Sequence, residues 1–149
     1  PSCPAQRPDD GDLTITAHAE ANLYSEREGM QVDADIEMFA TADQAAARFN
    51  RFMQPKLYTC LRYDLIKSAG AKLTMLKVQR LDLGKLTERV ASYRLPIVVK
   101  AGVIYSDYIY LGRGRMQLYV NVIAPASREA QLRGFELRLA KLIVGRTSA

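Results

Sequence analysis

The sequence predicts an α+β fold: an antiparallel meander sheet of about six strands covered by helices, in the order ββ-αα-ββββ-α. Three observations carry this. Residues 13–23 and 30–39 alternate apolar and polar with a period of two, which marks strands. Residues 41–70 and 127–146 repeat their apolar side chains at helical spacing instead. Between those helical stretches lie β-rich runs separated by short turns, which favour antiparallel pairing and a sheet with helices packed on it. At 149 residues the chain fits one domain. The expected division is a polar tail or linker over 1–12, punctuated by Pro1, Pro4 and Pro8, then a single α+β domain over 13–149.

In the first strand Leu13, Ile15, Ala17, Ala19, Ala21 and Leu23 share one face, and Thr14, Thr16, His18, Glu20 and Asn22 the other. This predicts a half-buried strand. Ser25–Gly29 turns the chain, and Met30, Val32, Ala34, Ile36 and Met38 alternate with Gln31, Asp33, Asp35 and Glu37. The pair should form a hairpin with one wet, acidic face. Thr41 and Gln44 have the spacing of a capping box, and Ala45, Ala46, Phe49, Phe52 and Met53 form the apolar stripe of the helix they open. Pro55 ends it and can start a second helix carrying Leu57, Cys60, Leu61 and Leu65, with Gly70 as its stop.

Residues 71–81 read as a strand with a bulge, because Leu73, Met75, Leu76 and Val78 do not keep one phase. A turn over 82–87 leads to a strand over 89–99, in which Pro96 marks an edge, a bulge or an end, having no N–H for a ladder. Runs over 103–111 and 115–123 flank Gly112-Arg113-Gly114, a hairpin turn, with Met116, Leu118, Val120 and Val122 facing inward. Pro125 ends the sheet. Ser127 is placed to cap a last helix whose stripe is Leu132, Phe135, Leu139, Leu142 and Ile143, with Glu129 and Arg133 as an i,i+4 pair.

Composition narrows the classes of function. Hydrophobic residues make up 48% and charged residues 25%, ordinary for a globular domain, and no apolar run reaches the 18 or so residues of a membrane span. The net charge of +5 hides an asymmetry. Residues 1–50 hold three basic and ten acidic side chains, the remainder eighteen and six. A basic C-terminal two-thirds can attract nucleic acid or an anionic surface; equally, the acidic part can fold against it and neutralise it. Two cysteines, Cys3 and Cys60, cannot make a disulfide scaffold. They are either one bridge from the tail to the body, or two thiols with Cys60 packed as a small hydrophobe. No signal-peptide core precedes them.

No metal-site spacing, phosphate loop or catalytic signature is present, so the expected catalytic, metal and cofactor sets are empty. His18 is the single histidine, on the polar strand face beside Glu20 and within reach of Asp33 or Asp35, and reads as solvated. Asp33, Asp35 and Glu37 form a carboxylate ladder that is either a solvated face, a docking face for a basic partner or a weak divalent-cation site. Gly112-Arg113-Gly114-Arg115 fits a tight turn better than a fragment of a nucleic-acid-binding segment, for which Lys72, Lys77, Arg80 and Tyr119 would supply the remaining contacts. Among eight tyrosines, Tyr93, Tyr105, Tyr108, Tyr110 and Tyr119 fall in the late strands. They serve there as β packing or as the lining of a groove.

The stretch Val32-Asp-Ala-Asp-Ile-Glu-Met-Phe39, Thr41 with Ala45-Ala46-Ala47, Cys60 in the second helix, Tyr105-Ser-Asp-Tyr108, Gly112-Arg-Gly-Arg115 and the helix ending at Arg146 together resemble a PsbP-like α/β sandwich. More narrowly they resemble secreted or lipid-anchored actinobacterial envelope proteins and the extracellular sensor domains of actinobacterial serine/threonine kinases. The likeness spans residues 13–146. It implies a noncatalytic, secreted or envelope-associated domain and leaves its ligand open. The residues add the expected occupant, a small apolar or lipid ligand or a protein partner, at a site lined by Tyr105, Tyr108 and Tyr119 with Arg113 and Arg115 as polar anchors. A nucleic-acid or anionic-surface module using the basic part is the alternative.

Overall fold

A computed structural model describes residues 10–53 and 73–146. The predicted second helix, Cys3 and Cys60 lie outside these residues. Seven strands form one antiparallel sheet: β1 (Ile15–Ser25), β2 (Met30–Phe39), β3 (Thr74–Met75), β4 (Gln79–Arg80), β5 (Arg89–Val99), β6 (Gly102–Arg113) and β7 (Met116–Pro125). Helix α1 (Ala42–Phe52) follows β2, and α2 (Glu129–Arg146) closes the described chain. The spatial order is β1-β2-β7-β6-β5-β3, with β4 also on β5. The meander β5-β6-β7 is consecutive, and β7 then inserts beside β2, so the first hairpin extends the sheet at one end.

Register explains why the sheet has two different faces. On one face the rows Ala21–Ala34–Val120–Ile109 and Ala19–Ile36–Leu118–Leu111–Val90 run across the strands. Helix α2 covers this face with Leu132 and Ala140, supported by Phe135, Leu139, Ile143 and Val144. On the other face Leu95, Ile97, Tyr108 and Tyr110 pack with Phe49 and Phe52 of α1. The inward set expected of β7 holds, since Leu118, Val120 and Val122 are all buried.

Local chemistry sets the boundaries. The Thr41 hydroxyl accepts from the Gln44 backbone N–H at 3.1 Å, half of a capping box. The Gln44 side chain does not return the bond; its Oε1 accepts from the Thr14 N–H at 3.2 Å and ties the chain before β1 to the helix. The β6–β7 loop is two residues long, and Gly114 takes its first position with φ of 50°, a backbone angle that glycine adopts without steric cost.

Three local expectations change. β1 is exposed along both faces from Ile15 to Tyr24, because it is the outermost strand and α2 reaches only as far as β2; the apolar alternation therefore does not bury it. The strand expected over 71–81 is two short pieces with a gap at Leu76–Val78. Pro96 stands opposite that gap: its carbonyl accepts from Leu76 N–H at 2.9 Å, and its missing donor falls where no ladder partner is required. Ser127 lies inside a 3₁₀ turn, Ala126–Arg128, that carries no side-chain cap, and Leu142 of the predicted apolar stripe is exposed.

Leu118 is 1% exposed between β2, β6 and α2. Leu118→Ala should cost about 2–5 kcal/mol in urea unfolding, the usual range for a buried leucine cavity. Leu142→Ala, at an exposed position of α2, should change stability by less than about 0.5 kcal/mol. Equal effects would contradict the placement of the core.

Candidate functional site

The late-strand tyrosines separate by parity. Tyr108 and Tyr110 are an even number of residues apart and share a face; Tyr105 is three residues before Tyr108 and projects from the opposite one. Across the strands the rows Asp33–Asn121–Tyr108–Tyr93 and Asp35–Tyr119–Tyr110–Ala91 carry the carboxylate ladder of β2 directly into a tyrosine cluster. The Tyr110 and Tyr119 rings are 5.2 Å apart, and Tyr108 and Tyr119 5.9 Å. Burial raises all three phenols, most strongly Tyr119 and Tyr110, and the charges of Asp33 and Asp35 add to the rise at Tyr119. These hydroxyls therefore stay protonated and act as neutral hydrogen-bonding groups, not as bases.

The ladder itself is neutralised from two sides. Arg48 of α1 reaches Glu37 at 3.5 Å and also bonds Asp10, and Arg51 bonds Asp10 and Asp12. Asp10 and Asp12, in the stretch expected to be a polar tail, thus hold α1. His18 Nε2 lies 3.1 Å from Asp35 Oδ2, and this contact raises the imidazole above its ordinary value, with Glu20 and Glu37 contributing. His18, Glu20 and Asp35 bring three ligand atoms within 4.8 Å of one another, all at exposed or half-exposed positions. Arg113 and Arg115 sit at the β6–β7 turn, where Arg115 donates to the Ala40 carbonyl at 3.4 Å. Of the five residues expected to form one site, the structure brings Tyr108 and Tyr119 together, sets Tyr105 on the other face and leaves the two arginines at the turn.

Tyr105 belongs to a different constellation, which the sequence reading missed. Arg94 of β5 and Asp107 of β6 are direct cross-strand partners on the α2 face, 1% and 0% exposed. Arg94 Nε and Nη2 donate to Asp107 at 2.9 and 2.6 Å, and Nη1 donates to Glu129 at 2.5 Å. The guanidinium stacks on the Tyr105 ring, 4.1 Å from its centroid, and the Tyr105 hydroxyl donates to Glu129 at 3.3 Å. Glu129 is thereby drawn to the sheet instead of pairing with Arg133, which donates to the Asp82 carbonyl. Glu136 of α2 is fully buried beside this group, and neither of its oxygens has a hydrogen-bond partner.

One buried cation faces two buried carboxyls, so charge balance leaves one of them neutral. Burial and, after it, the neighbouring Asp107 together push Glu136 up to about 9 against the opposing pull of Arg94 and Arg133. For Arg94 desolvation works against the charge, yet the hydrogen bonds and charge of Asp107 outweigh it and the pKa is raised. A signal existed in the sequence: Glu136 is four residues from both Leu132 and Ala140, in the helix stripe.

Several depressions open on the described surface. One of about 410 Å³ lies against the loop Arg80–Gly84 and Val90–Ser92. One of about 190 Å³ lies between Met30 and the Leu132–Phe135 side of α2. Another, of about 310 Å³, is walled by Leu76, Pro96, Val103 and Ala126, with Tyr105, Lys77 and Gln79 completing it. It occupies the gap that interrupts the strand opposite Pro96. Its apolar walls and single cation suit an apolar or amphipathic molecule with an anionic end.

No protein-family model matches the chain, and no curated protein matches it. Among solved structures, the extracellular domain of PknH from Mycobacterium tuberculosis aligns over 96% of this chain and 69% of that one, at 14% identity and a TM-score of 0.51. The chain shares that fold. Protein PA94 from Pseudomonas aeruginosa, described as of unknown function, aligns over 85% of this chain and 82% of that one at 11% identity and a TM-score of 0.39. Of the resemblances drawn from Val32–Phe39 and the late strands, the one to kinase extracellular domains agrees with the first likeness at the level of fold. No helix among the described residues is long and apolar enough to cross a membrane.

Glu136 holds its proton in the folded protein from its ordinary value of 4.5 up to about 9, while the unfolded chain releases it. The folded state binds more protons throughout that window, so stability falls as pH rises through it. Glu136→Gln should flatten the decline and raise stability at pH 8 by about 1–3 kcal/mol. A variant that loses stability at pH 8 and keeps the slope would show that Glu136 is ionised.

Proposed function

We propose that this chain is a noncatalytic, extracytoplasmic binding domain of the cell envelope that takes a small apolar or lipid-like ligand in the depression beside Tyr105. The observation that carries the reading is the composition of that depression: four apolar walls, a tyrosine, one lysine and one glutamine, in about 310 Å³, at the low end of small-molecule sites. The shared fold with an extracellular domain supports the location, and the lining of the depression supports the class of ligand.

The tyrosine would act as both wall and messenger. Its ring covers Arg94 and its hydroxyl holds Glu129, the first residue of α2. A ligand that displaces the ring alters a side-chain contact between the depression and the end of the helix, beside the backbone link from Glu129 N–H to the Ala126 carbonyl. The late-strand tyrosines on the other face, Tyr108 and Tyr119, then serve chiefly to pack against α1, with Arg113 and Arg115 peripheral. A binding domain needs no base or nucleophile, which fits the raised phenols and the paired charges described above.

The test is titration with 1-anilinonaphthalene-8-sulfonate, a probe with an apolar body and one anionic group. Saturable binding at one site is expected. Tyr105→Ala and Lys77→Glu should each weaken it about tenfold, roughly 1.4 kcal/mol. Tyr105→Phe should retain it, because the ring and not the hydroxyl forms the wall. Non-saturable binding, or affinity unchanged by Tyr105→Ala, would overturn the assignment.

A further inference from the structure

Among the described residues the strand β1 is an open sheet edge of unusual character. It is eleven residues long, contains no proline, lysine or arginine, and is exposed on both faces to Tyr24. Ile15, Leu23 and Tyr24 are 48%, 66% and 69% exposed. Its pairing with β2 is regular from Ala17 to Ser25. Edge strands normally carry charges, prolines or bulges against association, because their unpaired N–H and C=O groups form a template for another strand. Here the one irregularity lies at Ile15–Ala17, and Glu20 is the single carboxylate along the strand.

We propose that β1 is the dimerisation surface of this protein, pairing antiparallel with β1 of a second copy about a two-fold axis through Ala19. The occupant is identified by self-complementarity. In an antiparallel pair centred on Ala19, His18 faces Glu20 of the second copy, and Glu20 faces its His18. Ala17 faces Ala21, Thr16 faces Asn22, and Ile15 faces Leu23. Every pair is satisfied: two opposite-charge pairs, two polar pairs and two apolar contacts at the ends, the kinds of cross-strand neighbour that stabilise a sheet. Shifting the centre to Glu20 would set Glu20 against itself, a like-charge contact that disfavours that register. A two-fold contact of this kind is closed, so it yields a dimer and not a fibre. The joined sheets would be continuous, and the stripe Ala17, Ala19, Ala21 would continue across the axis.

The charge terms inside one chain and between two copies have opposite signs for Glu20, and this makes the test selective. Within the chain Glu20 stands opposite Asp35, so Glu20→Lys removes a like-charge neighbour. Between copies it would oppose the positive His18. Sedimentation equilibrium of the whole chain at pH 6, from about 1 μM to 1 mM, should show a monomer–dimer equilibrium. Glu20→Lys and Leu23→Lys should each weaken the dimer at least about tenfold, while the unfolding midpoint of dilute monomer is unchanged or, for Glu20→Lys, higher. A lowered monomer midpoint with unchanged dimerisation would mean a role in the hairpin alone. Monomer at every concentration, or a dimer indifferent to both substitutions, would overturn the proposal. This contact is independent of the Tyr105 depression, so failure of either reading leaves the other standing.

Discussion

Arg94 sits where the sheet, the final helix and the candidate ligand depression meet, and its charge sets conditions on all three. A guanidinium that is 1% exposed is tolerable only with hydrogen-bonded counter-charge, since an unpaired buried ion costs several kcal/mol. Asp107 supplies two of the bonds from the neighbouring strand, and Glu129 supplies a third from the start of α2. The register of β5 on β6 is therefore specified by charge as well as by packing. A one-residue slip would place Arg94 on the α1 face and leave Asp107 buried alone. Glu136 completes the group as a neutral carboxyl, so helix and sheet meet through a proton-holding contact within an otherwise apolar core.

That arrangement divides the labour of the two faces. The α1 side combines an acidic strand, a neutral tyrosine cluster and two arginines from the helix, and its charges are largely paired with one another. The α2 side is apolar except for the Arg94 group and Ser92, whose hydroxyl donates to the Leu81 carbonyl, and it opens to solvent where the strand opposite Pro96 is interrupted. A missing ladder donor at Pro96, the gap at 76–78 and the depression are thus one feature seen at three levels. The backbone chemistry of one residue leaves room, and the neighbouring apolar side chains line it.

Most of the architecture was legible in the sequence because it rests on periodicity. The alternation of 30–39 and 115–123 and the cap at Thr41 are local signals that match the structure, and the turn expected at Gly112–Gly114 forms two residues later at Gly114–Arg115, with Gly112 and Arg113 paired in β6. What escaped depends on long-range pairing. Nothing within 13–23 tells that this strand is outermost, so its alternation suggested a buried face that no helix reaches. Parity alone separates Tyr105 from Tyr108, but only if the strand runs without a bulge through both, which the register establishes. Arg94 and Asp107 stand at inward positions of their strands, yet a charged residue in an alternating run reads as a face change until its partner is known. Glu136 was the most accessible of the missed signals, as a carboxyl at a core position of a helix.

The account rests on the Tyr105 depression being where this domain meets its ligand, with the tyrosine linking that ligand to Glu129 and α2. The most direct measurement is backbone amide NMR of the whole chain titrated with a medium-chain fatty acid, an apolar tail with one anionic end. The shifts should centre on Leu76–Val78, Val103–Tyr105 and Ala126, with a second set at Glu129 and the first turn of α2. Shifts centred on Tyr108, Tyr119 and the β2 carboxylates, or none at all, would contradict it.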